Sequence, residues 1–412
     1  MNTTVRAAAP KFDRRVLTLI SMGFSSGLPL ALSGASLQAW LTVSGTDLSS
    51  IGLLSLAGAP YSCKFLWAPF LDRYAPPFAD ARRSWLIMTQ IVLAALLLTL
   101  ALTGVRSPWL VGILAFSIAG CSATQDVAFD AYRTELLPAA QRGLGAASAV
   151  LGYRLAMLTS GGLALVMADR WVGWQATYAS MAGLMMVLAI ATAFSPPLPQ
   201  RPPATESVWM AVKASWRDFF DRRNAMGLLA LIVLYKLGDA FAGSLSTAFL
   251  IRGVGFSVTE VGAVNKLLGL VTTIVGAFAG GALLIRLGLF RALLLFGLLQ
   301  AVSNLAFWYL SISPKNLWAL CGAITVENLA GGMGTAAFVA LLSSLCTARF
   351  SATQYALLSA LSAFGRVYLT APAGIVVASI GWPNFFLGST ALALPSLVLL
   401  LFLKRAVDSV DR

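Results

Sequence analysis

The sequence predicts an all-α membrane protein whose twelve helices form two related sets of six. Three observations carry that expectation. Of 412 residues, 58% are hydrophobic and only 11% are charged, whereas a soluble domain is about one quarter charged. The charges gather between apolar runs long enough to cross a bilayer, and the second half of the chain repeats features of the first.

A spanning helix needs about 20 mostly apolar residues. Residues 16–46, 84–105, 107–125, 171–200, 267–285, 292–314, 328–348 and 367–403 contain no Asp, Glu, Lys or Arg. Together with shorter runs that hold a charge, they predict spans at 17–43, 48–71, 84–105, 108–134, 143–167, 172–194, 225–250, 258–285, 289–311, 316–346, 352–379 and 383–403. The first is expected to stay uncleaved: a secretory apolar core is about 7–15 residues long, and this run continues from Val16 to Thr46. After the sixth span, the prolines of the stretch from Ser195 to Pro203 cannot continue a helix. The charges that follow, to Arg223, belong in water beside a membrane face. The expected organisation is an N-terminal six-helix half (1–194), a cytoplasmic linker (195–224) and a C-terminal six-helix half (225–412).

The halves share a pattern. Phe129-Asp130-Ala131, Leu136-Leu137-Pro138, Arg142-Gly143 and Gly152-Tyr153-Arg154 are echoed by Phe338-Val339-Ala340, Leu345-Cys346, Arg349-Phe350 and Gly365-Arg366. This sets helices 4 and 5 over 10 and 11, with one buried arginine in each pair; Gly27 to Leu41 matches Gly238 to Leu250 more loosely. Two repeated six-helix halves are what the major facilitator architecture predicts, with a substrate site near the bilayer midplane where the halves meet.

The net charge of +13 is explained by topology. With a cytoplasmic start, the loops and tails on that side hold twenty Lys and Arg, and the opposite side holds four: Arg106, Arg170, Arg252 and Lys315. That asymmetry follows the positive-inside rule and puts both termini in the cytoplasm; it leaves no basic surplus to explain by nucleic acid. The chain has no histidine, and Cys63, Cys121, Cys321 and Cys346 lie in apolar runs without C-x-x-C spacing, so neither a metal nor a redox cofactor is expected. No filter-like segment suggests a channel, and no sizeable external loop carries the acids a membrane transferase needs. Transport, not enzyme catalysis, is the expected role.

Nine ionisable residues remain inside the spans: Lys64, Arg154, Lys236, Lys266 and Arg366 against Asp126, Asp130, Asp239 and Glu327. Each costs at least about 2.5–3.5 kcal/mol at the bilayer centre, so each must face a partner or a watery cavity. Asp126 and Asp130 lie four apart on one helix face. Two neighbouring carboxylates in a low dielectric do not both ionise cheaply, so one is expected to carry a proton. The alternative is structural ion pairing, for example with Arg154; Asp126, deeper in the span, suits the proton and Asp130 the ion pair. Lys236 and Asp239 have the spacing of an intrahelical pair. The excess of bases favours an anionic substrate. Among amides, Gln38, Gln90, Asn265 and Asn328 can hydrogen-bond a substrate or glue helices together, and Gln125 adjoins Asp126. The candidate substrate-binding set is Gln38, Lys64, Gln125, Arg154, Lys236, Asp239, Asn265, Lys266, Glu327, Asn328 and Arg366. Gly331-Gly332-Met333-Gly334 reads as close helix packing, because it lacks the lysine of a phosphate loop. Trp40, Trp67 and Trp109 read as a membrane-interface belt.

Several of these motifs resemble the AmpG family of muropeptide permeases of Gram-negative inner membranes. They are Ser26-Gly27-Leu28-Pro29-Leu30, Lys64-Phe65-Leu66-Trp67-Ala68-Pro69 with Asp72-Arg73, Gln125-Asp126 with Phe129-Asp130-Ala131, and Gly152-Tyr153-Arg154. The second half adds Leu234-Tyr235-Lys236-Leu237-Gly238-Asp239, Phe249 to Phe256, Val264-Asn265-Lys266, Gly331 to Thr335 and Ala356 to Ser362. The resemblance runs over nearly the whole chain. It implies a proton-driven importer of anhydromuropeptides, N-acetylglucosaminyl-anhydromuramic acid with or without peptide, acting in cell-wall recycling; the chain is expected to work as a monomer. The imported fragments also feed β-lactamase induction. Two departures stand out: some members carry further hydrophobic helices, whereas this chain stops at Arg412, and the loop after Asp72-Arg73 delays its basic pair to Arg82-Arg83. Other classes compatible with the fold are a permease-like receptor for a periplasmic anion and an exporter of cationic drugs, the latter calling for an acidic cavity.

Overall fold

The computed structural model describes residues 14–74, 76–77, 79–136, 142–198, 217, 219–220, 224–346 and 351–410. Every regular element among them is helical, and ten helices are long and apolar enough to span a membrane. In chain order the helical segments are α1 (Arg14–Val43), α2 (48–73), α3 (Ala81–Thr103), α4 (Pro108–Leu136), α5 (142–171), α6 (Gly173–Ala193), α7 (Ala225–Gly253), α8 (Val258–Leu287), α9 (Leu289–Ile312), α10 (Leu317–Ser344), α11 (351–380) and α12 (382–402). The protein is thus an all-α membrane protein of two six-helix halves.

The count of ten and the twelve expected spans differ for local reasons. Segment α2 is cut into α-turns and 3-10 turns, with Pro60 and Pro69 opening new turns, because proline offers no N–H to the turn before it. Its start is fixed by Asp47, whose carboxylate accepts the Ser50 N–H at 2.8 Å, a bond that also holds the Asp47 carboxyl below its ordinary range. Helix α11 breaks after Tyr368 and resumes at Ala373. Gly381, at φ 76°, then turns the chain into α12, a conformation glycine adopts without steric cost. In α5, α7 and α8, π-type turns occupy Thr159–Leu163, Phe249–Gly253 and Gly262–Leu268, the last carrying Asn265 and Lys266.

Small residues let helices approach. A Cβ on Gly27 of α1 would lie 2.7 Å from the Tyr153 carbonyl oxygen of α5, and one on Gly152 would collide with the Ile20 carbonyl. In the other half, Gly276 and Gly280 of α8 pack on Leu329 and Met333 of α10, while Gly332 packs on the Thr273 carbonyl. The glycine run of α10 is therefore a packing surface.

The core shows how the halves meet. One buried cluster, with Leu37, Trp40, Tyr178, Phe249, Phe307 and Phe386, draws residues from both halves at the end far from the linker. At the linker end the clusters are separate: Leu19, Met22, Leu86 and Tyr132 in one half, and Leu231, Tyr235, Phe296 and Leu341 in the other. The halves are joined at the far end and parted at the linker end. Trp40 belongs to this core and not to an interface belt: it is 5% exposed and stacks on Trp174 at 5.8 Å. Trp67 donates to Thr124 Oγ1 at 3.1 Å. Trp109, 83% exposed, keeps the position of a belt residue.

Candidate substrate site

The gap between the halves forms a cavity in two compartments. The far-end compartment, about 490 Å³, is lined by α1, α2, α7, α8, α10 and α11, with Gln38, Ser55, Asp239, Asn265, Glu327 and Arg366 among its polar groups. The linker-end compartment, about 840 Å³, is lined by α2, α4, α7, α10 and α11 and contains Lys64, Asp130, Lys236, Asp239 and Arg366. Asp239, Ala240 and Arg366 border both, so the two compartments adjoin at these residues.

Six of the nine intramembrane charges, Lys64, Asp130, Lys236, Asp239, Glu327 and Arg366, line this cavity; Asp126 and Arg154 are not among its lining residues, and the pairing of the six is partial. Lys236 Nζ lies 3.7 Å from Asp239 Oδ2 and 3.4 Å from the Gly331 carbonyl oxygen; Arg366 and Glu327 are also close enough to act on its charge. Arg366 is solvent-exposed in the cavity, not buried, and among the described residues its guanidinium makes no ion pair. Arg154 is partly buried and also lacks an ion pair among the described residues. Both arginines lie within electrostatic range of Tyr153, one from each half.

Asp126 and Asp130 occupy the predicted common face and border a small side cleft with Arg133 and Tyr153. Ser26 of α1 donates its hydroxyl hydrogen to the Asp126 carboxylate, and Lys64 and Asp130 act on it through space. The partner of Asp130 is Arg133, at 3.1 Å, and not Arg154, because Arg133 lies one turn further on the same helix.

Amides divide between the two uses open to them. Gln38 reaches across the halves to the Ser244 carbonyl oxygen at 2.7 Å and lines the far-end compartment, as does Asn265. Gln125, by contrast, is fully buried, donating to Ser25 Oγ at 2.8 Å: it faces the interior of its own half. Asn328 accepts from Thr273 Oγ1 at 2.9 Å and ties α10 to α8. Lys266 is on the π-type turn of α8; its side chain lies outside the described residues.

Sequence reasoning placed Arg252 in a loop and missed its contacts. Its guanidinium reaches from α7 to the end of α1, donating through Nε to the Thr42 carbonyl at 2.8 Å and also to the carbonyls of Thr46 and Leu41. Nearby, Ser55 Oγ donates to the Val367 carbonyl at 3.2 Å, a Cβ on Gly52 would lie 2.6 Å from Gly374 N, and Thr259 N–H donates to Asp169 at 3.1 Å. All four contacts join the halves at the far end. The available signal was scarcity: Arg252 is one of four basic residues on the side that the positive-inside rule depletes.

Comparison with known proteins agrees with this architecture. The Major Facilitator Superfamily profile matches residues 16–370. The "Anhydromuropeptide permease" of Escherichia coli (strain K12) is 55% identical over 96% of this chain and 80% of its own length. A "Putative transporter AmpG 4" of Rickettsia felis is 34% identical over 96% of this chain and 98% of its own. Among solved structures, a bacterial homologue of the human lysosomal transporter Spinster superposes with a TM-score of 0.72 at 15% identity, covering 98% of this chain and 99% of its own. A peptide transporter of the POT family, bound to alafosfalin, gives 0.73 at 14%, over 98% and 97%. These two likenesses concern the fold. With the profile spanning most of the chain and the permease matching it almost end to end, the chain belongs to the Major Facilitator Superfamily and, within it, to the family of the anhydromuropeptide permease.

Proposed function

We propose that this protein carries anhydromuropeptides from periplasm to cytoplasm across the bacterial inner membrane. The observation that carries the reading is the 55% identity to the E. coli permease over 96% of the chain. The cavity supports it. Its mixture of hydroxyl, amide and cationic groups suits a cargo that is part sugar and part carboxylate. Both walls come from one chain, so a monomer completes the site. The positive-inside asymmetry puts the linker end, and with it both termini, in the cytoplasm. The halves then face the cytoplasm with the periplasmic side shut.

Import is coupled to protons at Asp126. With Asp130 held by Arg133, Asp126 is the member of the pair whose charge must be met by Ser26 and by Lys64. Protonating Asp126 removes the anion from that set and leaves the Lys64 ammonium for a carboxylate of the cargo. Substrate and proton thereby favour the same state of the cavity, which is the requirement for symport. The imported fragments serve cell-wall recycling and the induction of β-lactamase.

Uptake of labelled anhydromuropeptide into energised right-side-out vesicles tests the reading. Accumulation above the external concentration, collapsed by an uncoupler, is expected. Energised vesicles holding the protein and accumulating no more than control vesicles would overturn it.

A further inference from the structure

We infer that the cargo binds in one orientation, with its disaccharide in the far-end compartment, its lactyl group at Arg366, and its peptide in the linker-end compartment. The inference rests on the muropeptide reading above and adds to it which part of the molecule each compartment recognises.

The chemistry of the two compartments differs. Toward the far end the lining is neutral and polar, with Gln38, Ser246, Asn265 and Thr370, and its charges are the acids Asp239 and Glu327, with Arg366 at the inner border. Hydroxyl and amide groups donate to and accept from sugar hydroxyls and acetamido groups, and carboxylates accept from hydroxyls. Toward the linker end, Lys64, Lys236 and Arg366 outnumber the acids Asp130 and Asp239 among the groups lining the wider space; Asp130 is held by Arg133 and Asp239 by Lys236, which leaves the Lys64 ammonium and the Arg366 guanidinium to recognise carboxylates. An anhydromuropeptide is laid out in the same order. Its disaccharide is uncharged, the lactyl group follows, and free carboxylates lie along the peptide.

The reverse orientation is penalised at both ends. Peptide carboxylates would then sit in the compartment where, among the described lining residues, the acids Asp239 and Glu327 outnumber the one cation Arg366, and like charges repel in a low dielectric. The lysines would meet only sugar hydroxyls. Geometry agrees with electrostatics. The far-end compartment is bounded by the contacts of Gln38 with Ser244 and of Ser55 with Val367, which set a fixed length for what enters it. The halves part toward the linker end, so a longer peptide extends there without displacing the sugar. A cargo without peptide ends in a lactyl carboxylate, which the Arg366 guanidinium meets at the border. The site accordingly reads the disaccharide strictly and the peptide loosely.

Titration calorimetry on the purified full-length protein tests the orientation with two ligands, the disaccharide alone and the same disaccharide bearing a tripeptide. Asn265→Ala is expected to weaken both by the same factor, about fivefold for one neutral hydrogen bond, so the ratio of the two affinities stays put. Lys64→Gln and Ser359→Trp alter the charge and the free space of the linker-end compartment, which both residues line. Lys64→Gln should shift the ratio by about tenfold toward the peptide-free ligand, the size of one lost charge-assisted bond, and Ser359→Trp should shift it in the same direction. The tryptophan acts by volume alone and checks the result should removal of Lys64 disturb folding. If Asn265→Ala changes the ratio, or if the two linker-end variants depress both affinities equally, the orientation is wrong. A parent protein that binds neither ligand would instead refute the muropeptide reading itself.

Discussion

Arg252 offers the most direct test of how the far end is held shut. Its guanidinium binds the carbonyls of Leu41 and Thr42 in the last turn of α1 and of Thr46 just beyond it, and the C-terminal end of a helix carries the negative end of its dipole. A hydrogen bond to a charged group contributes about 1.5–3 kcal/mol. Because the side chain is solvent-exposed, the four bonds to these three carbonyls are together discounted for screening to about 2 kcal/mol. Removing them should raise the ratio of far-end-open to far-end-closed protein by about thirtyfold, at 1.4 kcal/mol per factor of ten. We would place a single reporter cysteine at Ser246, which lines the far-end compartment, in a background lacking the four native cysteines. Its alkylation by an impermeant maleimide added outside intact cells measures the open population. Arg252→Gln should speed labelling by about thirtyfold, and Arg252→Lys, which keeps the charge and loses the planar fork, should fall between. An unchanged rate in Arg252→Gln protein of normal abundance and Tm would refute the reasoning.

Other expectations follow from the same geometry. Asp126→Asn keeps the shape and the bond from Ser26 but loses the titrating proton, so uphill accumulation should vanish while counterflow exchange persists; accumulation at the parent's level would exclude Asp126 as the carrier. Gly152→Val drives a side chain into the Ile20 carbonyl and should lower stability by about 3 kcal/mol, the upper end for overpacking. Gly281→Ala, where a Cβ meets nothing within 4 Å, should leave Tm in place, and equal Tm values for both variants would contradict the packing argument. For topology, Ser107→Cys between α3 and α4 should label from outside intact cells, and Ser409→Cys after α12 should not; the reverse pattern would invert the orientation.

Much of the fold was legible because the bilayer punishes charge wherever it goes unpartnered. The charge-free runs give the spans, and the charges left inside them give the cavity: Lys64, Lys236, Asp239, Glu327 and Arg366 all line it. Amides were less legible, since the same group serves a substrate or a helix contact and only its direction decides. Helix geometry resolves two cases. Consecutive residues on an α-helix point about 100° apart. Gln125 therefore cannot share a face with Asp126, and it turns into the interior of its half. Asn328 likewise turns toward Thr273 of α8 while Glu327 borders the cavity.

The latch at Arg252 was illegible for a different reason. An ion pair leaves two marks in a sequence, an acid and a base at matching depths, as Lys236 and Asp239 do. A guanidinium bound to backbone carbonyls leaves one, because Thr42, Thr46 and Leu41 contribute atoms that every residue has. What fixes the contact is where α1 ends relative to α7, and that depends on how the halves meet. Closure by backbone acceptors also suits a gate that must open. When Arg252 withdraws, the freed carbonyls and the guanidinium are both met by water on the aqueous side, and no unpaired acid is stranded in hydrocarbon. A buried ion pair in the same role would leave an uncompensated charge at each opening, at a cost of about 3–5 kcal/mol. On this argument, Thr42→Asp should tighten the latch and slow labelling at Ser246→Cys, and faster labelling would show that the arginine does not hold the far end closed.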